Sequence, residues 1–325
     1  MIMCSELYAQ TESRWFQRIT QEQGLSDPTA FSIFQDTRGF MWFGTVDGLN
    51  RFDGYSVVVY RHEPTDSNTI ADNFVRGIHE DSRGTGLWIG TRSGLEQFDP
   101  VTEKFRHYEI TPNPKRPGDN EVRVIYEDRA GNLWVGAKLN GLHRFERSTG
   151  TFQRFPPDPP PDSAFAKNST KAPTNSLSQY SVSAIYEDPF GMLWLGTVGG
   201  GLKRFNPGTG EFRHFLHDPR DANSLSSNNV LALYGDSARG ALWIGMHGGG
   251  LNKLVLAEVD SVAPGREKFV RVQHDPADAN SLSDNRIFII RGDSTGALWV
   301  GTFAGGLNKF DPVQKIWSRF QNDPL

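Results

Sequence analysis

The sequence predicts an all-β fold, a β-propeller of four-stranded antiparallel blades. Three observations lead there. A tetrapeptide, Trp followed by an aliphatic residue or Phe, then Gly-Thr, recurs six times. The copies start at Trp42, Trp88, Trp134, Trp194, Trp243 and Trp299, with Ala137 and Met246 in place of the Thr in the third and fifth. Each follows an Asp-x-x-Gly turn or a close variant: Asp36/Gly39, Asp81/Gly84, Asp128/Gly131, Asp188/Gly191, Asp236/Gly240 and Asp293/Gly296. Each leads into a strand-like run ending at Phe52, Phe98, Phe145, Phe205, Leu254 or Phe310. Strand-like content repeating about every 50 residues marks a propeller or solenoid.

The fourth copy justifies the blade element by element. Val182 to Tyr186 is a short β-rich run. Glu187 to Gly191 is a turn, because Asp favours the first turn position and Gly closes it with a positive φ. Leu193 to Thr197 is a second strand, Leu202 to Phe205 a third, and Glu211 to Phe215 a fourth, separated by Gly-rich turns. Four antiparallel strands joined by tight turns make one blade. The Trp is expected to wedge between neighbouring blades, burying about 150–250 Å², and the Gly two residues later to permit their close approach.

Steps between the turn aspartates are 45, 47, 60, 48 and 57 residues. The Pro-rich stretch Pro156 to Thr174 lengthens the third and is expected to be an exposed loop inserted in the propeller domain of residues 11–325. The segment Ala257 to Lys268 lengthens the fifth copy. Trp15 to Ile19 resembles a spare outer strand ahead of the first complete blade. The expectation is therefore a seven-bladed propeller cut short, with a six-bladed ring as the alternative. Residues 1–10 are expected to be a leader remnant or a disordered tail, since the charged start and full apolar core of an export signal are missing.

Composition narrows the function. The formal charge is −4 with no basic run, which argues against nucleic acid as a partner. No stretch reaches the ~20 apolar residues of a membrane helix. A single cysteine, Cys4, leaves no internal disulfide and no cysteine-built metal site. The recurring pairs Glu80/Asp81, Glu127/Asp128 and Glu187/Asp188 are read as architecture, because a catalytic carboxylate pair should be unique, not periodic. No catalytic residue, metal or cofactor is expected.

The run Tyr186-Glu187-Asp188-Pro189-Phe190-Gly191-Met192-Leu193-Trp194-Leu195-Gly196-Thr197 closely resembles the two-component regulator propeller repeat. The resemblance extends from about Trp15 to Phe320. It implies a periplasmic or otherwise extracytoplasmic sensor module of a bacterial signalling receptor. It also implies C-terminal signalling domains of the full-length receptor as partners, a homodimer formed through that receptor, and a glycan as signal. No kinase motif follows Phe320.

Function is then sought where the copies differ. The first residue after the Gly-Thr step is Val46, Arg92, Lys138, Val198, His247 or Phe303. These turns should cluster around one channel mouth, so that six equivalent slots build one pocket. Asp47, Arg92, Lys138, Asn140, His247 and Phe303 are the candidate ligand-binding residues: cations, hydrogen-bonding groups and a stacking ring for a small polar ligand or oligosaccharide. Two rival classes are a propeller lyase or hydrolase, which needs a non-periodic His/Arg/Glu cluster, and a protein–protein scaffold, which needs a broad apolar patch.

Overall fold

The computed structural model describes residues 19–111, 114–155, 181–259 and 267–321. They form a β-propeller of six four-stranded antiparallel blades, spanning 30–60, 75–108, 122–155, 182–215, 230–272 and 287–320. Each is a simple meander. The first strands of consecutive blades pack against one another and surround the axis. Six blades is the alternative the sequence left open; no seventh lies among the described residues. The leader or tail, residues 15–18 of the expected spare strand and the Pro-rich insert lie outside them.

Blade 4 shows how the sequence dictates the sheet. Its strands Val182–Glu187, Leu193–Thr197, Leu202–Phe205 and Phe212–Phe215 pair in order, with Trp194 facing Tyr186 on one side and Arg204 on the other. Asp188 Oδ1 accepts the backbone N–H of Phe190 (2.9 Å) and Met192 (3.0 Å). Its Oδ2 accepts the Trp194 indole N–H at 2.9 Å. Asp36, Asp81, Asp128 and Asp293 hold Trp42, Trp88, Trp134 and Trp299 the same way, at 3.0, 2.9, 2.7 and 2.7 Å. The periodic Asp is thus a turn residue that also satisfies the one polar atom of the wedge, which burial requires. Blade 5 departs: Asp236 bonds Arg239 at 2.8 Å, and the Trp243 indole N–H has no acceptor among the described residues.

The glutamate before the Asp latches blades together. Glu80 accepts the backbone N–H and hydroxyl of Thr37 at 2.9 and 2.7 Å, Glu127 those of Ser82 at 3.1 and 2.7 Å, and Glu187 the N–H of Arg129 at 2.8 Å.

The core is divided among the junctions. Five buried clusters each straddle one pair of neighbours, blades 1/2 through 5/6. At the first, Trp42 and Leu49 of blade 1 meet Leu87, Ile89 and Phe98 of blade 2. The glycine of the tetrapeptide is what lets the sheets touch: a Cβ on Gly196 would lie 2.7 Å from Val230 Cγ1, and one on Gly245 equally close to Ile287 Cγ2.

Candidate functional site

The hairpin that follows the tetrapeptide returns to the end where the inner strand starts, because those two strands are antiparallel: Val75 pairs with Thr91, Val182 with Thr197. The first hairpin residue then donates its backbone N–H to the residue immediately before the inner strand. The bonds are Arg92 to Phe74 (3.2 Å), Lys138 to Glu121 (2.9 Å), Val198 to Ser181 (3.1 Å), His247 to Asn229 (2.9 Å) and Phe303 to Arg286 (3.0 Å). Each slot is therefore a pair of side chains, both of which vary between blades.

The connector to the next blade fixes the hairpin from the other side. The Asn73 carbonyl accepts Gly48 N–H at 2.7 Å, that of Asn228 accepts Gly201 N–H at 2.9 Å, and that of Asn285 accepts Gly250 N–H at 2.8 Å. The same asparagine side chains accept the backbone N–H of His62, His217 and His274 at 2.7, 2.8 and 2.7 Å. The loops at this end are thus held by repeated main-chain bonds.

A second layer lies beneath the hairpins. In all six blades the inner strand slips register at its second residue, leaving Phe31, Arg76, Arg123, Ser183, Leu231 and Phe288 unpaired. Such a bulge re-aims a side chain. Successive bulges meet around the ring: Arg76 lies 4.8 Å from the Phe31 ring centre, Arg76 and Arg123 approach Glu121 at 3.6 and 3.5 Å, and Arg123 donates to Ser181 Oγ at 2.8 Å.

The six sequence candidates divide accordingly. Arg92 stacks on Phe74 at 4.4 Å, and Lys138 donates to Glu121 Oε2 at 2.8 Å. Phe74 and Glu121 both touch Arg76, so Arg92 and Lys138 belong to one connected group. Phe303 stacks on Phe288 at 5.6 Å and lies 4.6 Å from the Arg286 guanidinium, and the Arg286 backbone bridges His247; these form a second group. Asp47 is turned to Arg61 at 3.0 Å, and Asn140 donates to the Asp119 carbonyl at 2.6 Å. Phe31, Phe74, Arg76, Glu121, Arg123, Arg286 and Phe288 were missed from sequence. The signal that finds them is their place just before or one residue into each inner strand, where copies differ as much as at the hairpin.

Charge is unevenly spread here. Burial, helped by Arg123 nearby, lowers the pKa of the Arg76 guanidinium. Arg286 holds the Asp284 carboxyl at about 2, through a 2.6 Å ion pair. Among the described residues no group of three His, Cys, Asp or Glu gathers as a metal site would require. No helix of the described residues is long and apolar enough to cross a membrane.

The family described as two component regulator propeller matches residues 24–47, 69–93, 117–138, 176–199 and 281–304, which lie in and ahead of blades 1–4 and 6. Histidine kinase P4 of Formosa agariphila is 43% identical over 65 residues, 20% of this chain and 5% of that protein. The extracellular domain assigned to a hybrid two component system of B. thetaiotaomicron is 26% identical, with a TM-score of 0.71 over 95% of this chain and 37% of that one. The chain thus spans well under two thirds of either relative. Virginiamycin B lyase from Staphylococcus aureus has a TM-score of 0.62 at 15% identity over 91% of this chain and 85% of its own, a likeness of fold alone.

Proposed function

Starting from the match of five of the six blades to the two component regulator propeller, we propose that the chain is the extracytoplasmic ligand-sensing part of a two-component-type receptor. It takes a polar small ligand, such as an oligosaccharide, on the hairpin face, and it passes the signal to domains of the full-length receptor without chemistry of its own. One observation carries this reading. In five blades the first hairpin residue makes the same main-chain bond, while the side chains presented there change from blade to blade: Arg92 with Phe74, Lys138 with Glu121, His247 with Asn229, Phe303 with Arg286. A frame that repeats and a lining that varies is how a propeller builds one asymmetric pocket from equivalent slots. The similarity to the extracellular domain of a hybrid two component system supports the receptor context.

The test is an oligosaccharide and metabolite screen followed by hydrogen-exchange mapping of the best binder. Protection should fall on the hairpins and inner-strand starts. The double variant Arg92→Ala/Phe303→Ala should bind at least tenfold more weakly, with a melting temperature within a few degrees of the parent. Protection confined to the opposite face would overturn the proposal.

A further inference from the structure

The hairpin face is not uniformly polar. In blades 2 and 3, Arg76, Arg123 and Lys138 converge on one carboxylate, Glu121, which is 3% exposed. Three cations on one anion leave an excess of two positive charges. The other carboxylates nearby, Asp119 and Asp72, bond groups other than these three cations. Asp119 pairs with Arg116 at 3.1 Å and accepts the backbone N–H of Lys115 and Arg116. Asp72 accepts the backbone N–H of Phe74 and the Ser93 hydroxyl. The excess lies against apolar rings, since Phe31 and Phe74 flank Arg76, and Arg92 stacks on Phe74 as a fourth cation.

Architecture does not demand these charges. The positions equivalent to Glu121, Arg123 and Lys138 are Ser181, Ser183 and Val198 in blade 4, and Asn229, Leu231 and His247 in blade 5. Both blades fold on the same strand pairing and the same hairpin bonds. Nor does a purely structural ion pair need three cations: Lys138 alone, at 2.8 Å, suffices to pair Glu121. Gathering like charges costs energy that is recovered when an anion arrives, and Arg presents the forked donors that carboxylates and sulfates accept.

We propose that Arg76, Arg123 and Lys138 form an oxyanion subsite at the blade 2/blade 3 sector of the channel mouth, so that the ligand carries a carboxylate or sulfate group. This rests on the hairpin-face reading above and sharpens it from a polar ligand to an anionic one. Glu121 gathers the cations and weakens the subsite at the same time, setting its affinity.

Titration calorimetry of the 325-residue chain with inorganic sulfate, trigalacturonate and maltotriose tests the idea. Trigalacturonate or sulfate should bind and maltotriose should not match it. Binding should weaken as salt rises, because the subsite is partly open to water. Glu121→Gln should tighten anion binding about tenfold, since it raises the cationic excess. Lys138→Gln, at a half-exposed position, should weaken it severalfold with the fold intact by circular dichroism, and it serves as the test if Glu121→Gln does not fold. Maltotriose binding as tightly as trigalacturonate, with no response to either variant, would overturn the anion subsite and leave the hairpin-face reading in place. Absence of any anion heat in both parent and Glu121→Gln would likewise overturn it, the hairpin-face reading then resting on the ligand screen.

Discussion

Blade 4 lies between two neighbours, whereas blade 6 and blade 1 share no buried cluster among the described residues, and the same repeated text fares differently in the two places. Trp194 is fully buried, as are Trp42, Trp88 and Trp134; Trp299 is partly open to solvent. Leu202 and its counterparts in blades 1–5 are sealed, but Leu307 of blade 6 is not. On the opposing side, Ile185 of blade 4 is 7% exposed, while the equivalent Ile33 of blade 1 is 52% exposed. Exposed Ile289 and Ile316 belong to the same last blade. The residue types and strand registers are shared, including the indole–carboxylate bond. What differs is the neighbour. The lesson is that a blade's own hydrogen bonds define its shape, and the wedge residue contributes its apolar energy only when a second sheet closes over it.

The comparison breaks most readily at the wedge. Trp194→Ala should lose about 3–5 kcal/mol in urea unfolding, by transfer plus cavity terms. Trp299→Ala should lose roughly half as much, since part of its surface is already wet; equal losses would mean the two junctions are equivalent in solution. The opposing faces should diverge in the same direction. Ile185→Ala should cost about 2–3 kcal/mol and Ile33→Ala no more than about 0.5 kcal/mol, so a large loss at Ile33 would show that something covers it.

A smaller contrast lies in the turns. Asp188→Ala strands three donors and should cost about 2 kcal/mol, whereas Asp236→Ala should cost about 1 kcal/mol, because it removes a short cap and leaves Trp243 as it was. Matching losses would sink the claim that the indole bond is what the aspartate adds. The least effect is acid sensitivity at blade 6. The Thr295 hydroxyl, the Trp299 indole and backbone N–H groups hold the Asp293 carboxyl at about 2. A depressed carboxyl stabilises the fold fully above its unfolded value near 4, and that contribution fades as pH falls toward 2. Melting temperatures taken from pH 4 down to 2 should therefore drop more steeply for the parent than for Asp293→Asn, and parallel curves would exclude the bond as the cause.

The blade was legible in the sequence because six copies repeat one alternation: the second strand expected at Leu193 to Thr197 has those ends, and the outer strand expected at Glu211 to Phe215 starts one residue later. The aspartate was legible as a turn residue, but its second bond to the indole was not, since it depends on a side chain six or seven residues away that the turn brings into reach. The glutamate latches were hidden for a related reason: Glu80 and Thr37 lie 43 residues apart. The variable hairpin positions were visible, yet their partners were not. Bulges are slips of register, and nothing in the alternation of Val75-Arg76-Gly77 announces that Arg76 leaves the ladder. Lys138 was visible as a candidate ligand-binding cation, but its ion pair with the buried Glu121 was not.

The asparagine carbonyls that hold the hairpins have a consequence for how such chains are recombined. Asn228 belongs to the stretch leading into blade 5, yet it supports Gly199 and Gly201 of blade 4 at 3.1 and 2.9 Å. A graft cut at the blade boundary would hand a foreign loop to each host hairpin. The exchangeable module is offset instead: it begins after the asparagine of one connector and ends with the asparagine of the next. Chimaeras joined at that offset carry each loop together with its own support, and recombining hairpins along the array becomes a question of where the seam is placed.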